Sequence, residues 1–243
     1  MISSFTDPKE QPLHLLSRVG LVDQAYHVIK TAIINHELEP GTTLTTVNVS
    51  ERLGVSRTPV RQALLLLAQQ GLLDTDNRGQ FVVHVISPAE AQEIFLVRAS
   101  LESLASRKIA RLKSTGEISV LQEILAKQQI AQREQDTANF LQYDQDFHLS
   151  IARFASLPLV MRLLERLRDK VRVIGGQAIT RPGRLGSVIV EHQAILNGLI
   201  AQDEDGAVRA VVRHLVNTAQ SVGISLEDVI DTATGFNEGG SDK

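Results

Sequence analysis

The stretch Leu53-Gly54-Val55-Ser56-Arg57-Thr58-Pro59-Val60-Arg61-Gln62-Ala63-Leu64 decides the fold of the first part of the chain: a tight turn feeds a helix whose first turns carry two arginines. Ser56 is placed to cap that helix, and Pro59 falls in its first turn, where no intrahelical bond needs the missing N–H. Arg57 and Arg61 stand four residues apart and project from nearly one side, flanking the apolar stripe Val60, Ala63, Leu64 and Leu67. One face packs while its border reaches outward, as a DNA-reading helix requires.

Upstream, residues 22–35 have helical spacing at Val22, Ala25, Ile29, Ala32 and Ile33, and Pro40-Gly41 then breaks the chain. Residues 46–53 read as a short second helix and 57–70 as a third, stopped by Gly71. Downstream, Leu72-Leu73-Asp74 and Gln80-Phe81-Val82-Val83 read as strands around the turn Asp76-Asn77-Arg78-Gly79. Three helices and a hairpin predict a winged helix-turn-helix over 21–86, preceded by a loosely ordered arm at 1–20.

Ser87-Pro88 marks a boundary, since proline disfavours helix in the residue before it and Ser87 can start a new one. Helical periodicity then continues to about residue 231. Interruptions at Ser114-Thr115-Gly116, Asp136-Thr137, Ser156-Leu157-Pro158, Arg181-Pro182-Gly183 and Asp203-Glu204-Asp205 divide it into about six helices. The expected fold is therefore mainly α: a winged helix-turn-helix with a small β-hairpin wing, followed by an all-α bundle over 87–231. Residues 232–243, rich in Gly, Asn, Glu and Ser, read as a disordered tail.

Composition narrows the function classes. At 243 residues and 43% apolar content there is material for one or two cores, and with no cysteine there is neither a disulfide framework nor a thiolate metal site. No apolar run approaches the ~20 residues that span a bilayer, and the N-terminus lacks the basic and apolar regions of a signal peptide. A cytoplasmic protein without a membrane role is expected. The net charge is −3, and residues 21–85 carry five Lys/Arg against six Asp/Glu. A basic domain is absent, yet four of those five cations lie between Arg52 and Arg78, which predicts a local patch.

The helical part holds His148, His192 and His214, each in a helical segment, and Asp144 lies one turn before His148 on the same face. Brought together, Asp144, His148, His192 and His214 would form a borderline donor set suited to zinc, nickel or another divalent transition ion. Arg98 falls within the apolar stripe Ile94, Val97, Leu101, Leu104 and Ala105, so its guanidinium is expected to point inward and to need a partner. The bland partner is Glu102, one turn on, in a surface ion pair; the functional one is an anionic effector, because a guanidinium forks onto carboxylates.

Leu38-Glu39-Pro40-Gly41-Thr42-Thr43-Leu44, then Leu53 through Leu64, then Gly71-Leu72-Leu73 and Arg78-Gly79-Gln80-Phe81-Val82 together resemble the GntR family of bacterial transcription regulators. The second half resembles the FCD ligand-binding domain of the FadR-like branch, and the likeness covers roughly residues 21–222. The resemblance implies that the third helix enters the major groove and the wing the adjacent minor groove. Carried onto this chain, the DNA-facing residues are Ser56, Arg57, Thr58 and Arg61, with Arg78 and Gly79 in the wing. Arginine can bond guanine O6 and N7, while hydroxyls and a helix N-terminus suit phosphates.

Asp144-Gln145-Asp146-Phe147-His148 matches the family's D-x3-H metal motif, and Glu191-His192 and His214-Leu215 match its later ligand positions. Asp146 and Glu191 are then outer or surface groups. The resemblance also implies a small organic acid in a pocket reached by Arg98, a homodimer, and a pseudo-palindromic operator. The family pattern is broken at Val47 (usually charged), Gln62 (commonly Glu), His36 (usually Gly) and Leu157 (usually Asn). His tolerates positive φ better than most residues, so His36 is compatible with the fold. The expected function is a ligand-responsive regulator, a repressor by preference and not an enzyme, with zinc the first choice and nickel or manganese also suited. The competing readings are a metal-dependent hydrolase and a pure metal sensor.

Overall fold

The computed structural model describes residues 20–112 and 115–226. The arm expected at 1–20, apart from its last residue, and the tail expected at 232–243 lie outside the described residues. Helix α1 (Leu21–Ile34) is followed by the short strand β1 (Thr43–Leu44), α2 (Thr46–Leu53) and α3 (Arg57–Gln69). Strands β2 (Leu73–Thr75) and β3 (Phe81–Val83) come next. The sheet is antiparallel in the order β1-β3-β2, with Leu44 opposite Phe81 and Asp74 opposite Val82. The wing is thus three-stranded, because Thr43–Leu44, too short to show a period of two, docks on the free edge of β3.

Local chemistry explains most boundaries. Thr45 caps α2 by accepting from the Asn48 N–H, and Gly54 ends it at φ 66. Ser56 occupies the N-cap of α3 with extended backbone but makes no capping bond. Pro59 occupies the third helical position and has no N–H, which removes one of the two donors that a capping side chain uses. His36 adopts φ 58, the left-handed conformation that a glycine would have supplied. Asp76 builds the wing tip by accepting from the N–H groups of Arg78 and Gln80 at 2.9 and 2.8 Å.

Six further helices occupy the second half: α4 (Pro88–Arg111), α5 (Thr115–Glu134), α6 (Thr137–Phe154), α7 (Pro158–Ala178), α8 (Arg184–Ile200) and α9 (Glu204–Ser221). Ser87 caps α4 as anticipated, whereas Leu157, at the N-cap of α7, offers no side-chain cap. Two cores result. Ala25, Ile29, Val60, Leu64, Leu67 and Phe81 fill the first, and Phe95, Phe147, Ile151, Ile195 and Leu215 belong to the second. The apolar stripe read for α4 is only half right: Ile94 and Ala105 are buried, but Val97 and Leu104 are exposed. Polar Arg98, Glu102, Ser103 and Ser106 take the inward positions instead. None of the described helices is long and apolar enough to cross a membrane.

Helix α7 joins the two halves. Val173 packs into the first core and its neighbour Ile174 into the second. His36 Nε2 lies 3.1 Å from the Val173 carbonyl, and Lys30 pairs with Asp169 at 2.7 Å. At the wing side, His84 bridges Asp74 and Glu90 with 2.8 Å contacts on both ring nitrogens, and Lys170 reaches the other oxygen of Glu90.

Candidate metal centre and DNA-facing surface

Helices α8 and α9 approach closely where Gly198 meets Ala207: a Cβ on Gly198 would stand 2.8 Å from the Ala207 backbone. That contact brings His192 of α8 and His214 of α9 against His148 of α6. One donor atom from each of Asp144, His148, His192 and His214 lies within 4.8 Å of the others. His148 Nε2 and His214 Nε2 are 3.2 Å apart, and His192 Nε2 is 3.4 Å from Asp144 Oδ1. Ligands about 2.0–2.2 Å from one ion span such separations.

Each imidazole is oriented through its other nitrogen. His192 Nδ1 is 2.8 Å from Gln128 Oε1 on α5, and His214 Nδ1 is 2.8 Å from Glu191 Oε2 on α8. His148 Nδ1 is 2.8 Å from Glu102 Oε2 on α4, within hydrogen-bond distance but without the alignment of a hydrogen bond. With Nδ1 bearing the proton, each ring offers its Nε2 lone pair to the centre, as metal-binding histidines do. The Phe147 ring stacks on His192 with centroids 4.6 Å apart, limiting ring rotation.

Electrostatics favours the same state. Burial, reinforced by neighbouring positive groups, pushes His192 and His214 well below the ordinary histidine value, leaving neutral rings. Burial also raises Asp144, a carboxyl that gains most from a nearby cation. His192 Nε2 is fully buried and makes no hydrogen bond. An orphaned buried nitrogen among three further donors fits a divalent ion, and this cluster could hold one.

Arg98 is inward, as expected, but its partner Glu102 is equally buried: Nε donates to Oε1 at 2.7 Å. The surface reading of this pair is therefore corrected. Burial alone would raise Glu102, yet Arg98 and His148 together hold its carboxyl far below the usual range. Glu191 takes a two-point contact from Arg184, at 2.7 and 2.9 Å, and a bond from Asn217. Asp146 only accepts from Gln142 and is no part of the cluster. A narrow cleft, partly open to solvent, adjoins the cluster and is lined by Asp144, His214, Arg98, Arg172 and Arg184 among others.

Gln128 and Arg184 were not found from the sequence. No spacing marks a single Gln in the amphipathic α5. Arg184 did carry a signal, since a cation at the first position of a helix opposes the helix dipole and needs a reason. At the other end of the molecule, Ser56, Arg57, Thr58, Arg61, Arg78 and Gly79 are all exposed. None of the three arginines enters an ion pair among the described residues. The packed stripe of α3 is the expected Val60, Ala63, Leu64 and Leu67.

Known proteins share this organisation. The family model "Bacterial regulatory proteins, gntR family" matches residues 21–83, and the FCD domain model matches 93–217. The HTH-type transcriptional repressor RspR of Escherichia coli K12 is 29% identical over 202 residues, 82% of this chain and 87% of that protein. The HTH-type transcriptional regulator McbR of the same strain is 30% identical over 196 residues, covering 79% and 87%. The solved structure of E. coli McbR/YncC is similar with a TM-score of 0.70 at 26% identity, over 84% of this chain and 98% of the other. The chain belongs to the GntR family: it is a transcriptional regulator that joins a DNA-binding helix-turn-helix half to an FCD effector-binding domain.

Proposed function

We propose that this regulator is a repressor that binds a pseudo-palindromic operator as a homodimer and responds to a small organic acid held beside a divalent metal. Residues 21–86 act as the DNA-binding unit and 87–231 as the metal, effector and dimerisation unit. Arg57 and Arg61 read bases from α3, Arg78 and Gly79 enter the minor groove, and Ser56 and Thr58 position phosphates. Asp144, His148, His192 and His214 hold the metal, zinc by preference, with nickel or manganese as further candidates. The bound ion supplies a Lewis-acidic position for a carboxylate oxygen, and the Arg98 guanidinium lies in the same cleft to orient it.

The observation that carries the reading is the outer set Glu102, Gln128 and Glu191, which lies against the far nitrogens of three imidazoles whose other nitrogens face one point. The effector acts only through different affinities for two arrangements of the DNA-binding halves. Metal analysis of the purified protein, a thermal-shift screen of organic acids, and operator titration with and without each ligand test it. One tightly held ion per chain, one stabilising acid and an operator affinity that changes with that acid support the reading. Operator affinity that follows metal alone would instead favour a metal sensor, and turnover lost in His192→Ala would favour a hydrolase.

A further inference from the structure

The three guanidiniums lining the effector cleft differ in their partners. Arg98 is paired with Glu102 and Arg184 with Glu191, each inside the protein. Arg172, from α7, faces the same cleft but forms no ion pair among the described residues. Its Nη1 reaches only the neutral Gln142 Oε1 at 3.4 Å, and its buried Nε has no hydrogen bond. The nearby acids are engaged elsewhere, Asp169 by Lys30 and Asp146 by Gln142. Burial and the like charge of Arg168 lower the affinity of Arg172 for its proton by more than attraction from Asp169 and Asp146 raises it, so the cation is only partly compensated. A guanidinium so placed gains strongly from an anion.

Charge in the cleft then sets the ligand class. Arg98 with Glu102 and Arg184 with Glu191 are neutral pairs, and an imidazole that ligates an ion does so in its neutral form. A divalent ion with Asp144 leaves one positive charge, and Arg172 adds a second. We propose that the effector is a small dianion, a dicarboxylate with one carboxylate toward the Asp144, His148, His192 and His214 end and the other held by Arg172. This rests on the metal and acid reading above. Arg172 immediately precedes Val173, whose side chain packs in the DNA-binding core and whose carbonyl meets His36. An anion on Arg172 therefore draws on the helix that joins the two halves.

Calorimetry on the full-length, zinc-loaded protein with succinate, glutarate and their half-amides tests this directly, with zinc content measured for every sample. Wild type should prefer a diacid over its half-amide by about tenfold or more. Arg172→Gln should erase that preference while half-amide affinity and zinc content stay at wild-type values; Arg172→Lys, which keeps the charge, should retain part of it. Equal binding of diacid and half-amide by zinc-loaded wild type overturns the inference and leaves the metal and acid site standing. A preference that survives in folded Arg172→Gln does the same. Absence of zinc uptake, or of binding by every acid, overturns the underlying reading and this inference with it.

Discussion

Gln128 is a neutral side chain on a helix that supplies no metal donor, yet its carbonyl oxygen decides which nitrogen of His192 faces the cluster. Gln128→Ala is expected to lower zinc affinity about 10–100-fold, measured by competition with a chelator, with the fold intact by circular dichroism. His192→Ala removes the donor itself and should abolish stoichiometric metal. At the opposite surface, Arg57→Ala should cost about 1–3 kcal/mol of specific DNA binding and relax one base position, read from titrations against operator variants. Unchanged discrimination would remove Arg57 as a base reader. The pairing of Asp144 with His148 was legible because an Asp and a His one turn apart advertise a shared face. Gln128 was not, because its contact with His192 joins helices distant in sequence, and Glu102, read as the partner of Arg98, gave no sign that it also meets His148.

At the scale of elements, α8 and α9 owe their registry to the contact of Gly198 with Ala207. Gly198→Ala places a methyl against backbone that has little freedom to yield, and should cost about 1–3 kcal/mol of stability by chemical denaturation. Zinc affinity should fall in the same variant, because His192 and His214 ride on those two helices. The helices themselves were largely legible: turn residues divide the second half where the structure does. β1 was not, since two residues carry no period and are ordered only by pairing with β3. The inward face of α4 was misread in part for a related reason. Hydrophobicity assigns Val97 and Leu104 to the core, but Arg98 and Glu102 compensate each other there.

The whole molecule is joined by a small number of polar contacts around α7. His84 links one of them to pH: burial works against its charge, but hydrogen bonds and attraction from Glu90 and Asp74 outweigh it, so its pKa is raised. Its contribution to stability is therefore complete below about pH 6.5 and is lost as pH rises through the raised value. The melting-temperature gap between wild type and His84→Gln should narrow steadily as pH is increased; a gap that does not change with pH would sink this role. Gly176 packs beside the same junction, where an added Cβ would lie 3.0 Å from His36 Nε2. Because His36 both ends α1 and meets the Val173 carbonyl, a single side chain serves the architecture of one half and its attachment to the other. A chimera that grafts a foreign DNA-binding half onto this effector half must import a counterpart of His36, or the hybrid will fold without communicating.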